Sequence, residues 1–107
     1  MAKKRSYKKK SDHRRVRKEL TDTTPIVIRF YKASCPACQA SEPAWNQFCD
    51  SAPPGYRVVE VEEEAIPPEV LSGISAFPTY AKLDEDGPTH SVGAITDPKL
   101  IPVKLAL

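Results

Sequence analysis

No apolar run in this 107-residue sequence approaches the roughly 18 residues that span a bilayer, so it offers no candidate transmembrane helix. Met1 is followed by charges rather than a hydrophobic stretch. No secretory signal is therefore expected, and the chain reads as intracellular, cytoplasmic or nuclear. Cysteine is scarce and odd in number, and three residues do not suit a secreted disulfide framework. Zinc ligands are also few. Cys35 and Cys38 stand at ligand spacing, but only Cys49, His13 and His90 remain to complete a tetrahedron, and none forms a second spaced pair. No metal and no cofactor is expected. The sequence has no internal repeat, and apart from Tyr7 no aromatic residue interleaves its basic clusters, which removes the usual signature of base stacking.

What is abundant is charge, and it is segregated. Of the 16 lysines and arginines, ten lie in the first 20 residues: Lys3, Lys4, Arg5, Lys8, Lys9, Lys10, Arg14, Arg15, Arg17 and Lys18. Only Asp12 and Glu19 oppose them, giving this segment +8, whereas the other 87 residues carry six cations against twelve carboxylates, or −6. Such a segment lacks the apolar residues to bury a core face. Residues 1–23 are therefore expected to form a disordered basic arm, with a short helix conceivable from Ser11 through Val16 and Leu20. Residues 24–107 would form the folded domain.

Within that domain Ile26 to Tyr31 is rich in β-branched and aromatic residues and reads as a buried central strand. A helix is expected from Pro36, carried by Ala37, Gln39, Ala40, Ala44, Trp45 and Phe48, and ending before Pro53. Tyr56 to Val61 reads as a second strand, and Pro67 to Ile74 as a short helix. Strands Thr79 to Leu83 and Thr89 to Ala94 flank the turn sequence Asp84-Glu85-Asp86-Gly87. The tail from Thr96 begins like a helix, with Pro98 in its first turn, and Pro102 is expected to interrupt it. The order predicts an α/β fold, with a mixed central sheet of about four strands and helices on its faces.

The most specific chemistry is Cys35-Pro36-Ala37-Cys38, where a strand runs into the start of a helix. Unpaired N–H groups and the helix dipole favour a thiolate on the first sulfur, so Cys35 is the expected nucleophile. Cys38 lies about one turn deeper, within reach of a mixed disulfide on Cys35. Cys49 is about 16 Å farther along a continuous helix, too far to bridge to Cys38. It reads as a small core residue, with an intermolecular disulfide as the other reading. His13 reads as part of the arm and His90 as a strand surface residue.

Together these residues resemble thioredoxin across roughly residues 25–100. Pro43 stands five residues after Cys38, where that family kinks its active-site helix. Phe77-Pro78-Thr79 resembles its cis-proline segment, and Val92-Gly93-Ala94 its glycine-bearing strand. The resemblance implies that Pro78 is cis and faces the sulfurs, that the Phe77 backbone pairs with an extended substrate, and that Gly93 leaves room for it. It implies a thiol–disulfide oxidoreductase acting on protein disulfides, recharged by an electron-donating reductase.

The sequence also departs from the family. Ser34 replaces the usual tryptophan, and Pro36-Ala37 the usual Gly-Pro. Proline at this position also occurs in glutaredoxins and bacterial disulfide oxidases, but there is no Gly-Gly-x-Asp segment of the kind glutaredoxins use for glutathione. Arg29 and Glu60 stand where thioredoxins carry a buried aspartate and a lysine. Either they form a buried pair beneath the dithiol, or Arg29 points to solvent from an open sheet face. A cation there would favour thiolate, and only Glu60 or water would remain as base for Cys38. The family's first strand and helix are replaced by the basic arm, which implies a trimmed fold with bare edges. The arm suits nucleic acid, an acidic protein surface or nuclear import, or is simply a solvated tail. The competing function is accordingly a structural or interaction component of a larger assembly, such as a virus particle or nucleoprotein complex.

Overall fold

The computed structural model of the protein describes residues 4–107. Its strands are β1 (Lys4–Tyr7), β2 (Ile26–Tyr31), β3 (Arg57–Glu62), β4 (Thr79–Asp84) and β5 (Gly87–Val92). Its helices are α1 (His13–Thr21), α2 (Pro36–Asp50), α3 (Pro68–Leu71) and α4 (Leu100–Lys104). The strands form one mixed sheet in the order β1-β3-β2-β4-β5, with β1, β3 and β2 parallel and β4 and β5 antiparallel to their neighbours.

Strand β2 lies at the centre, its side chains buried toward both faces and all but Arg29 apolar or aromatic, as suits a strand covered on two sides. On one face Ile26, Ile28 and Phe30 meet Val59 and Val61 of β3, with Val16 of α1 and Ile66 closing the layer. On the other, Val27, Val58 and Tyr80 pack against Trp45 and Phe48 of α2 and Ile101 of α4. The Trp45 and Tyr80 rings lie 6.0 Å apart and tilted, a favourable aromatic arrangement.

Residues 4–21 correct the expectation of a free basic arm, and with it the four-strand sheet and the trimmed fold. β1 pairs with β3 from Lys4↔Val58 to Tyr7↔Val61, and α1 seats Val16 in the core. The short helix conceivable from Ser11 is α1, but hydropathy gave no hint of β1, which is anchored by backbone pairing and by ions. Lys4 Nζ lies 3.2 Å from Glu60 and donates to Asn46 Oδ1 at 2.7 Å, while Arg5 and the Tyr7 hydroxyl both reach Glu19 Oε2, at 3.1 and 2.8 Å. Buried Glu19 also receives Arg57, and Arg17 forms a two-pronged pair with Glu69. The opposite charges of the two segments are thus partly what joins them. Of the ten basic residues, Lys3 lies outside the described residues.

Two smaller expectations also shift. α4 begins at Leu100 rather than near Pro98, so Pro102 falls in its first turn, where its missing N–H breaks no intrahelical bond. The last hairpin starts two residues earlier than expected, because Gly87 at φ +93° pairs with Asp84 and leaves Glu85-Asp86 as the turn.

Candidate functional site

β2 ends at Tyr31, and four residues later Cys35 takes the N-cap position of α2 with extended backbone (φ −83°, ψ 120°). Pro36 follows at the first helical position, where a fixed φ and a missing N–H suit the start of a helix. The Cys38 N–H donates to Cys35 Sγ at 3.2 Å, so the first sulfur occupies the place of a capping oxygen. Both thiols are free, Cys35 half-buried and Cys38 buried.

The two sulfurs are driven apart in acidity. The Cys35 thiol is lowered from its ordinary value, first by the hydrogen bond from the Cys38 side chain, then by the Cys38 and Ala37 N–H groups and the nearby Lys32 ammonium. Burial opposes this and is outweighed. Cys38 is pushed up to about 11, first by burial and then by its bond to Cys35, against weaker opposing effects of the Lys32 N–H and the Arg29 charge. The outer sulfur is thus the more readily ionised of the two, and the inner one holds its proton.

Opposite them the Phe77–Pro78 peptide bond is cis, and the Phe77 carbonyl oxygen lies 3.8 Å from Cys35 Sγ. Gly93, at φ +103°, donates its N–H to the Pro78 carbonyl at 2.8 Å, and space for a Cβ is open beside it. Thr79 is buried at the start of β4, and its hydroxyl bonds the Ala76 carbonyl at 2.7 Å, holding the loop rather than facing outward.

Arg29 and Glu60 are neighbours in register on β2 and β3, yet their side chains do not form the expected pair. Glu60 accepts from Ser6 Oγ and Trp45 Nε1, each at 2.8 Å, and faces Lys4. Burial alone would raise its carboxyl, but these donors hold it below the usual range, so it keeps its charge and is a poor base for Cys38. Arg29 does not point to solvent either. It is 2% exposed, and its Nη2 donates to the Cys38 carbonyl at 2.8 Å and to Ser41 Oγ at 3.1 Å. Its Cζ lies 5.1 Å from the Tyr31 ring centre and 5.9 Å from that of Tyr80, and its Nε has no hydrogen-bond partner among the described residues.

Sequence reasoning missed the loop that carries Cys35. The Ala33 N–H donates to Glu62 Oε2 at 3.2 Å, and the Ala33 carbonyl accepts from Gln39 Nε2 at 3.0 Å, so strand β3 and helix α2 hold the two peptide groups on either side of Ala33. Only the fold brings Glu62 there, 29 residues away along the chain. The other candidates lie apart from the dithiol. Cys49 is buried in the core beside Trp45, His13 meets the Glu64 carbonyl at 2.8 Å, and His90 sits on β5.

A Cys-x-x-Cys at the first turn of a helix, fed by the central strand of a mixed sheet and faced by a cis proline, defines a dithiol protein of the thioredoxin class. The family model Thioredoxin matches residues 7–103, and the chain belongs to that family. The sequence matches no curated protein. Among solved structures it is similar to the Malassezia sympodialis thioredoxin Mala s 13, with 17% identity over 96% of this chain and 88% of that one and a TM-score of 0.72. It is also similar to Schistosoma mansoni thioredoxin (17% identity, 95% and 93% covered, TM-score 0.69). The oxidized mitochondrial thioredoxin 3 of Saccharomyces cerevisiae gives 18% identity, 87% of each chain and a TM-score of 0.68. At these identities the likeness is one of fold. Among the described residues no helix is long and apolar enough to cross a membrane.

Proposed function

We propose that this protein is a thiol–disulfide oxidoreductase acting on protein disulfides. The observation that carries the reading is the split between the two sulfurs, Cys35 capped by the Cys38 N–H and lowered, Cys38 buried and raised. Cys35 thiolate attacks a substrate sulfur and forms a mixed disulfide, and the other substrate sulfur leaves with the electron pair. Cys38 then attacks Cys35 Sγ, releasing the second substrate thiol and closing the Cys35–Cys38 disulfide, which an electron-donating reductase reopens. Phe77, Pro78 and Gly93 border the approach to Cys35 and receive an extended substrate backbone, with Thr79 holding their loop.

Arg29 is a positioning residue in this reading. It ties β2 to the Cys38 carbonyl and sets a positive charge under the dithiol, which favours the Cys38 thiolate as it forms. The competing reading, an assembly component docked through a free basic arm, has less support because β1 pairs into the sheet and α1 packs Val16 into the core. The reading is tested by insulin reduction with wild type and Cys35→Ser. Thiol-dependent turnover is expected in the first and only background in the second. A folded wild type without turnover overturns it.

A further inference from the structure

Cys38 must lose a proton before it can attack, and the groups beneath it are unsuited to take one. Arg29 is a cation, and the Glu60 carboxylate is occupied by three donors. On the other side, however, Cys38 lines an open cavity of about 220 Å³, large enough for several waters. Glu62 and Glu42 are the carboxylates in its wall. Glu62 already accepts the Ala33 and Glu64 N–H groups. Glu42 is exposed at the rim, has no hydrogen-bond or ion-pair partner among the described residues, and stands four residues after Cys38, on the same side of α2.

We propose that Glu42 accepts the Cys38 proton across this cavity during resolution of the mixed disulfide. The inference rests on the oxidoreductase reading. The Cys38 S–H bond gives its proton to the Glu42 carboxylate through cavity water, and the thiolate forms a bond to Cys35 Sγ. The Cys35–substrate S–S bond breaks, and its electron pair leaves on the substrate sulfur, which takes a proton from solvent. The dithiol is oxidised by two electrons and the substrate disulfide is reduced. The other ionisable groups facing the cavity suit this assignment. Lys8, from the segment after β1, and Lys32, just after β2, are cations and cannot accept the proton, and Tyr31 is held protonated, pushed up to about 12 chiefly by burial.

The test separates the two sulfurs in time. Reduced protein mixed with dithiobis(nitrobenzoate) releases one coloured thiolate when Cys35 attacks and a second when Cys38 resolves. In Glu42→Gln the second phase is expected to slow about tenfold at neutral pH. The deficit should narrow in alkali, as solvent base takes over. Asp50→Asn, which removes the same charge from the same helix outside the cavity, should resolve like wild type. A Glu42→Gln second phase within twofold of wild type at every pH overturns the inference while leaving the oxidoreductase reading intact. Equal slowing in Asp50→Asn overturns it too, as a bulk charge effect. A wild-type first phase no faster than that of a simple thiol overturns both readings.

Discussion

Glu19 and Arg29 are both buried charges, on opposite faces of the same sheet, and their surroundings differ in kind. Glu19 is met by Arg57, Arg5 and the Tyr7 hydroxyl, so its carboxylate oxygens are paired and the charge is neutralised where it lies. Arg29 contacts neutral acceptors and two aromatic rings, and one of its donors is left without a partner beneath Cys38. A buried charge that is matched on every side holds elements together. One that is left incompletely matched beside a reactive group keeps its field available to that group.

The contrast predicts that each residue can be changed without reproducing the other's effect. The largest change is expected from Cys35→Ser, which removes the nucleophile and should take insulin reduction to background with the urea unfolding midpoint preserved. Next in size, Glu19→Ala takes the buried carboxylate from Arg57 of β3, while Arg5 stays in solvent, and should cost about 3 kcal/mol in urea unfolding, as breaking a buried ion pair does. The thiol chemistry of that variant should stay close to wild type. Arg29→Met removes a buried cation that lacks a carboxylate partner, so little stability should be lost. Its second coloured phase with dithiobis(nitrobenzoate) should instead slow severalfold, because the charge that favours Cys38 thiolate is gone. Were Arg29→Met to unfold the protein and leave that phase untouched, the contrast would be wrong.

A pH profile sharpens it further. Alkylation of Cys35 requires thiolate, so its rate should rise through an inflection below that of an ordinary cysteine, while Cys38, pushed up to about 11, reacts only in stronger alkali. The smallest effect should come from Arg14→Ala on the exposed side of α1, within about 0.5 kcal/mol in the same unfolding experiment.

The dithiol, its helix and the central strand were readable because each has a local signature, whereas the cis proline came only through the resemblance to thioredoxin. Pro36 marks a helix start, the run from Ile26 to Tyr31 marks a doubly covered strand, and Asp84 to Gly87 marks a hairpin. β1 was unreadable for a physical reason. Lys4, Arg5 and Ser6 look like a solvated tail until the residues they meet, Glu60, Glu19 and Val58 to Val61, are known to lie beside them. Long side chains cover a sheet edge with their stems and place their charges on distant partners, and no window along the chain sees that. The exchanged pair was half legible. Arg29 and Glu60 are indeed adjacent and buried, but Trp45, Ser6, Lys4 and the Cys38 carbonyl divide them between separate partners.

The parallel pairing of β1 with β3 bears on how the chain is made. Lys4 finds its place only against Val58, 54 residues later, so β1 has no strand to pair with until β3 has been synthesised. Until then Lys4 to Tyr7 lacks the ladder that holds it, and this pairing belongs to the non-local contacts of the sheet, the slowest kind to form.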